Sequence, residues 1–349
     1  MEVQRLQGRL AQFEGEAKNS TAKIVELERA HAHVEKERRS TAALLQARTA
    51  ELREARSFLT KEDAVEDSEV LHLVETLNAR IARTADKIAH GPHFHFGSSE
   101  DTLKVQKATK RLERYAWIPP SLISTLRSTL RSTGRTNDPS MIRTSLQAGM
   151  TMYTRWLATS WDLGVLDSRG LLAGIYLSIR EREPQSIAGK WRALCRTHVK
   201  SLLDTGEAQT RRLFETLSII VADILVVCGA AGTWDGISGM VVHEFETELH
   251  EVVDLALRFQ WTAGECVLLR DFVVFVADSD ATYDWTRMEK EAVLLDAPSA
   301  QASFGRVLCT THLGLMLETK VGGGNEDGGT TILLKAKVIL KTDIPNGYI

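Results

Sequence analysis

From Val3 to Leu59 the chain repeats apolar residues every seven positions without a skip in phase. One row runs Val3, Leu10, Ala17, Ile24, His31, Arg38, Leu45, Leu52, Leu59. The other runs Leu6, Phe13, Ser20, Leu27, Val34, Thr41, Arg48, Ala55. These are the a and d rows of a coiled coil. No proline interrupts them, and the flanks are rich in Glu, Lys, Arg, Gln and Ala, which suit a helix. At ~1.5 Å per residue the expected helix is roughly 85 Å long. A single helix cannot bury such a stripe by itself, so the pattern requires a partner helix.

In a parallel pair of identical helices, the g-to-e′ contacts Arg9–Glu14, Lys23–Glu28 and Glu51–Arg56 attract, and every other such contact includes a neutral residue. His31 and Arg38 at a positions weaken the middle and can fix register. The expected partner is a second copy of the chain, as a coiled-coil dimer, or another coiled-coil protein. The contact residues are Val3, Leu6, Leu10, Phe13, Ile24, Leu27, Val34, Leu45, Leu52 and Leu59. The competing reading is one solvated helix, or a helix folded back on its own chain. The pattern is already in phase at Val3, which leaves room for a longer natural coil.

The 349 residues allow two or three domains. A net charge of −3 argues against a molecule built as a whole for nucleic acid or an anionic membrane. Cys195, Cys228, Cys266 and Cys309 lie far apart with no C-x-x-C pair, so reduced thiols in an intracellular protein, cytoplasmic or nuclear, are expected. The first residues show no apolar leader. The most apolar run, SIIVADILVVCGAAG at 218–232, is shorter than the ~20 residues of a membrane span and contains Asp223. It reads as a buried helix.

After an acidic break at KEDAVED, a second amphipathic helix places Val70, Leu73, Val74, Leu77, Ile81 and Ile88 on one face. It ends at His90, with Gly91 in the usual C′ place and Pro92 after it. The stretch HGPHFHF at 90–96 makes His90, His93 and His95 the only metal candidates. An extended segment accounts for it without metal, with Phe94 and Phe96 facing in and His93 and His95 facing out. A zinc site needs about four ligands, and no nearby Cys or second His pair supplies the rest. No cofactor is expected.

Ser98 or Ser99 can cap the next helix. Residues 104–143 are locally basic: Lys104, Lys107, Lys110, Arg111 and Arg114 precede Pro119-Pro120, and Arg127 and Arg131 follow within a STLR-STLR-STGR repeat. A phosphate-binding face is one reading. A solvated face balancing acidic segments is the favoured one, since no aromatic platform interleaves the basic residues. From Met141 to Val199 the chain reads as helical, and the seven tryptophans are expected mainly in the core.

Catalytic templates fail. HEFETELH at 243–250 spaces its histidines seven apart, not four. CGAAGTWDGISG at 228–239 lacks the Lys-Ser/Thr of a P-loop, and its Ser238 is not in G-x-S-x-G. No catalytic residue is assigned. Near residue 300 the pattern turns to period two: Leu313, Leu315 and Leu317, then Ile332, Leu334, Ala336, Val338 and Leu340, joined by VGGGNEDGG, with RVLCTT as a further strand.

Three stretches together, ARSFLTKEDAVEDSEVLHLVETLNARI, IYLSIREREPQSIAGKWRALCRTHV and RVLCTTHLGLMLETK with ILLKAKVIL, resemble an uncharacterised protein family of mushroom-forming fungi. The resemblance covers nearly the whole chain. It implies a coiled coil, a helical domain and a short β tail, and it carries no catalytic residues. Proline is expected where this chain has Ala336.

The expected architecture is mainly α. A coiled-coil stalk covers 1–60, a second helix and linker 61–97, a helical body 98–300, and a small antiparallel β unit packed on the body 301–349. The expected function is a structural or regulatory interaction module. Nucleic-acid or phosphate binding through 104–143 ranks second and an enzyme third.

Overall fold

The apolar face of residues 67–90 organises the centre of the fold. In the computed structural model Val70, Leu73, Val74, Leu77, Ile81 and Ile88 are all buried. The structure describes residues 2–59, 63, 65–97, 102–133, 139–163, 170–202, 206–291, 305–319 and 329–343. The chain divides into two units, Met1–Lys61 and Glu62–Ile349. The first is one helix, α1 (Glu2–Leu59).

The second unit begins with α2 (Asp67–His90), α3 (Thr102–Arg114), α4 (Pro120–Thr133) and α5 (Pro139–Thr159). It continues with α6 (Leu171–Arg182), α7 (Gln185–Leu202), α8 (Glu207–Val227) and α9 (Trp234–Trp261). Four of these make the centre: α2 packs on α5 and α9, α8 packs on α5 and α9, and α5 also meets α9. The apolar run of α8 is buried as expected from Ile220 to Val227, and α3 lies across it. A charged seam joins α2 to α9. Arg80 meets Glu251 at 2.6 Å, Lys87 bonds Glu248, and His93 lies 3.7 Å from Glu244.

Gly91 closes α2 for a different reason from the expected one. Its φ of −69° is extended rather than left-handed. A side chain there would meet the Lys87 carbonyl at 2.7 Å, so the need is for space.

α9 runs into a π-helical turn (Thr262–Cys266) and then into strand β1 (Asp271–Phe275), well before the expected end of the helical body. With β2 (Met288–Lys290), β3 (Val307–His312), β4 (Gly314–Glu318), β5 (Thr330–Leu334) and β6 (Ala336–Leu340), the strands form two small sheets. Their orders are β1-β4-β5 and β2-β6-β3. All pairs are antiparallel except β2 with β6. The alternating run 332–340 is thus cut at Lys335 between two sheets. Ala336, at the cut, donates its amide to the Arg287 carbonyl at 3.1 Å, a bond that a proline there could not make. The expected loop 321–328 and the caps Ser98 and Ser99 lie outside the described residues.

The tryptophans divide. Trp117 is buried against Tyr153 and Trp156, whereas Trp261 and Trp285 are exposed.

Candidate functional site

The heptad rows of α1 leave their apolar side chains open. Phe13, Leu27 and Leu45 are 60%, 67% and 68% exposed, and Ile24, Val34 and Leu52 are also more than half exposed. The side chains of Val3, Leu6, Leu10 and Leu59 lie outside the described residues. The helix's own ion pairs run along its surface, from Arg38 and Arg39 to Glu35 and from Arg48 to Glu51. Such exposed pairs contribute little stability, and among the described side chains of α1 none is buried.

The histidine stretch is woven into the body. Phe96 bridges Ala230, the His95 carbonyl accepts from the Ala231 amide at 2.8 Å, and Phe94 stacks on Phe245 at 6.2 Å. His93 sits edge-on to Phe245 at 5.6 Å, His90 caps its own helix through Asp86, and His95 is exposed. Among the described residues no three His, Cys, Asp or Glu side chains gather as metal ligands.

The basic segment splits by role. Arg111 forms a fork on buried Asp223, with Nε donating to Oδ2 at 2.7 Å and Nη2 to Oδ1. That bond holds the Arg111 pKa above its ordinary value. Trp234 Nε1 donates to the same carboxylate at 2.7 Å. Lys104 donates to the Ala230 and Gly232 carbonyls. Lys107, Lys110 and Arg114 are exposed on α3, Arg127 is half-buried on α4, and the Arg131 side chain lies outside the described residues.

One charged cluster matches no sequence motif. Buried Arg192, on α7, is surrounded by acceptors. Its Nε donates to the Gly264 carbonyl at 3.3 Å, Nη2 to the carbonyls of Val267 and Arg270, and Nη1 to Tyr176 Oη at 3.1 Å. It also pairs with Asp271 at the head of β1. Tyr176 Oη donates to Asp271 Oδ1 at 2.6 Å. Arg180 bridges Asp271, at 3.0 Å, and Glu318. Burial lowers the Arg192 pKa and raises that of Tyr176. Nearby, Asp63 accepts from the Leu268 and Leu269 amides and from Arg270 Nε at 3.1 Å. The cluster therefore locks α6, α7, the π turn and β1 together.

Two further reactive groups are enclosed. Burial pushes the Cys228 thiol up to about 12. Thr311 donates to Glu291 beside His312, yet its side chain is fully buried and out of reach of a substrate. No helix among the described residues is long and apolar enough to cross a membrane.

No protein-family model matches the chain, and neither does any curated protein or solved structure.

Proposed function

We propose that the chain is a structural or regulatory interaction protein that self-associates through α1 as a parallel coiled-coil dimer. The observation that carries this reading is the in-phase row of six apolar a and d side chains, each more than half exposed. Pairing two copies would remove that surface from water, a gain of roughly 25 cal/mol per Å2. The attractive g-to-e′ contacts Arg9–Glu14, Lys23–Glu28 and Glu51–Arg56 support a second copy as occupant over an unlike helix. We read the setting as intracellular from four free cysteines, two of them buried. The likeness to the family of mushroom-forming fungi belongs to the same reading. Phosphate or nucleic-acid binding by residues 104–143 has less support, because Arg111 and Lys104 have partners inside the fold.

Light-scattering mass tests the proposal. The full chain is expected at twice the 38.8 kDa of one copy. A chain beginning at Glu62, and the full chain with Leu27→Glu and Leu45→Glu, are expected as monomers. A monomeric full chain, or a dimer that survives both changes, defeats self-association through α1.

A further inference from the structure

Arg180, Arg192 and Arg196 line one cleft of about 360 Å3. Two of them have carboxylate partners there, Arg192 on Asp271 and Arg180 on Asp271 and Glu318. Arg196 forms no ion pair among the described residues. Its hydrogen bond there runs from Nη1 to the Ser160 carbonyl at 3.2 Å, and its Nε is closed off from solvent without an acceptor. Glu265, whose charge acts on Arg196, accepts instead from the Thr197 hydroxyl at 2.9 Å. Arg196 as a whole is half-buried, and a guanidinium partly withdrawn from water without a counter-ion is costly to the fold. Burial, and the neighbouring Arg192, pull its pKa down to about 10.

The surroundings hold this guanidinium in one place. The Trp161 ring lies 4.6 Å from its Cζ. Gln260 Nε2 donates at 2.8 Å to the same Ser160 carbonyl, fixing the acceptor that orients Arg196. Gly264, in the π turn, leaves the room its stem needs, since a Cβ there would lie 2.7 Å from Arg196 Cδ. π turns interrupt α-helices frequently at functional sites. A second cleft of about 170 Å3 shares Trp161, Arg196 and Gln260 with the first. The other walls of the first cleft are largely apolar, with Leu177, Phe259 and Phe272, whereas the second mixes Leu163, Val199 and Leu257 with Lys200, Gln209, Thr210 and Glu265.

We propose that this pair of clefts binds a small organic carboxylate with an apolar body, its carboxylate paired with Arg196 and its body on the apolar walls. One guanidinium without an ion pair among the described residues suits one negative charge. Together the clefts are lined by four cations, Arg180, Arg192, Arg196 and Lys200, against three carboxylates, Asp271, Glu318 and Glu265, so a phosphate dianion would exceed the one net positive charge that remains. The first cleft is at the small end of ligand sites, which run from ~300 to 1,000 Å3, and the second adds to it. The assignment is independent of self-association through α1.

Calorimetric titration of the full chain with benzoate and with octanoate tests it, beside neutral benzamide and inorganic phosphate. At least one carboxylate is expected to saturate, with benzamide and phosphate weaker by about tenfold or more. Arg196→Gln is expected to weaken that carboxylate by about tenfold or more, and Arg196→Lys by less. If Arg196→Gln does not fold, the Arg196 Nε–H resonance of the unaltered protein, assigned by its loss in Arg196→Lys, should shift with benzoate or octanoate and not with benzamide. Failure of both carboxylates to saturate at ~10 mM overturns the proposal. So does phosphate binding as tightly as either carboxylate, or unchanged binding in a folded Arg196→Gln.

Discussion

Asn78 and Leu313 exchange two hydrogen bonds across the core: Asn78 Nδ2 donates to the Leu313 carbonyl at 2.9 Å, and the Leu313 amide donates to Asn78 Oδ1 at 2.9 Å. Leu313 is the single residue between β3 and β4, where the chain leaves one sheet for the other. A side chain from α2 thus stands in for a neighbouring strand. Asn78→Ala would leave two buried backbone groups without partners, and a loss of about 2–4 kcal/mol is expected in urea unfolding. Asn78→Asp keeps the acceptor but turns a carboxylate toward the Leu313 carbonyl. Its loss should shrink at acid pH, where the introduced carboxyl becomes a donor.

Two glycines should respond to alanine with opposite signs. A Cβ on Gly189 would stand 1.9 Å from the Leu268 carbonyl oxygen, which is backbone and cannot step aside. Gly189→Ala should cost about 2–3 kcal/mol or more by prising α7 from the segment that follows the π turn. Gly174, within α6, has nothing within 4 Å of the same position. Gly174→Ala should stabilise by about 0.5–1 kcal/mol. Thermal unfolding of the two variants side by side checks both signs.

Asp223 receives bonds from Arg111 and Trp234 within the apolar C-terminal run of α8. Asp223→Ala strands both donors, and a loss of about 2–3 kcal/mol is expected. The Arg111 side chain is 42% exposed, so water recovers part of the penalty that a fully buried pair would carry. Lys107→Ala, on the exposed face of α3, should change stability by less than about 0.5 kcal/mol.

His312 supplies a pH dependence. Burial lowers its pKa, with Lys337 and Arg143 adding to the effect and Glu291 and Glu289 opposing it. The unfolded chain takes up a proton below about 6.5 while the folded one resists it. Stability therefore falls as pH drops from about 6.5 toward the lowered folded value, and is unaffected by this group above that range. Denaturant midpoints of His312→Gln should fall less steeply over that window. An identical slope in both proteins sinks the assignment.

Periodicity carried much of the fold. The six residues assigned to one face of α2 are all buried, and the run around Asp223 is the buried helix it resembles. It failed where pattern names a face but not a partner. The alternation at 332–340 continues through Lys335, although its halves belong to different sheets. β1 escaped notice because Phe272 to Phe275 is a short unbroken apolar run, which periodicity cannot tell from helix. The arginine cleft was hidden for another reason. Tyr176 reaches across 95 residues to Asp271, and no spacing rule spans that distance. A local hint did exist: Tyr176 with Arg180, and Arg192 with Arg196, each stand four apart, which puts each pair on one helix face.

Leu313 and Lys335 hand the chain from one sheet to the other, and this sets an order of events during synthesis. Asn78 is made 235 residues before Leu313. At about 5–20 residues per second that is a wait of roughly 10–50 s. β1 likewise precedes β4, the neighbour that covers its edge, and β2 precedes β6. Proteases added to ribosome-held chains that stop before β4 should cut near Phe272–Phe275, and those sites should close once β6 has emerged. Once β1 and β2 have been made, the growing polypeptide carries two half-built sheets, and neither is complete until β5 and β6 follow.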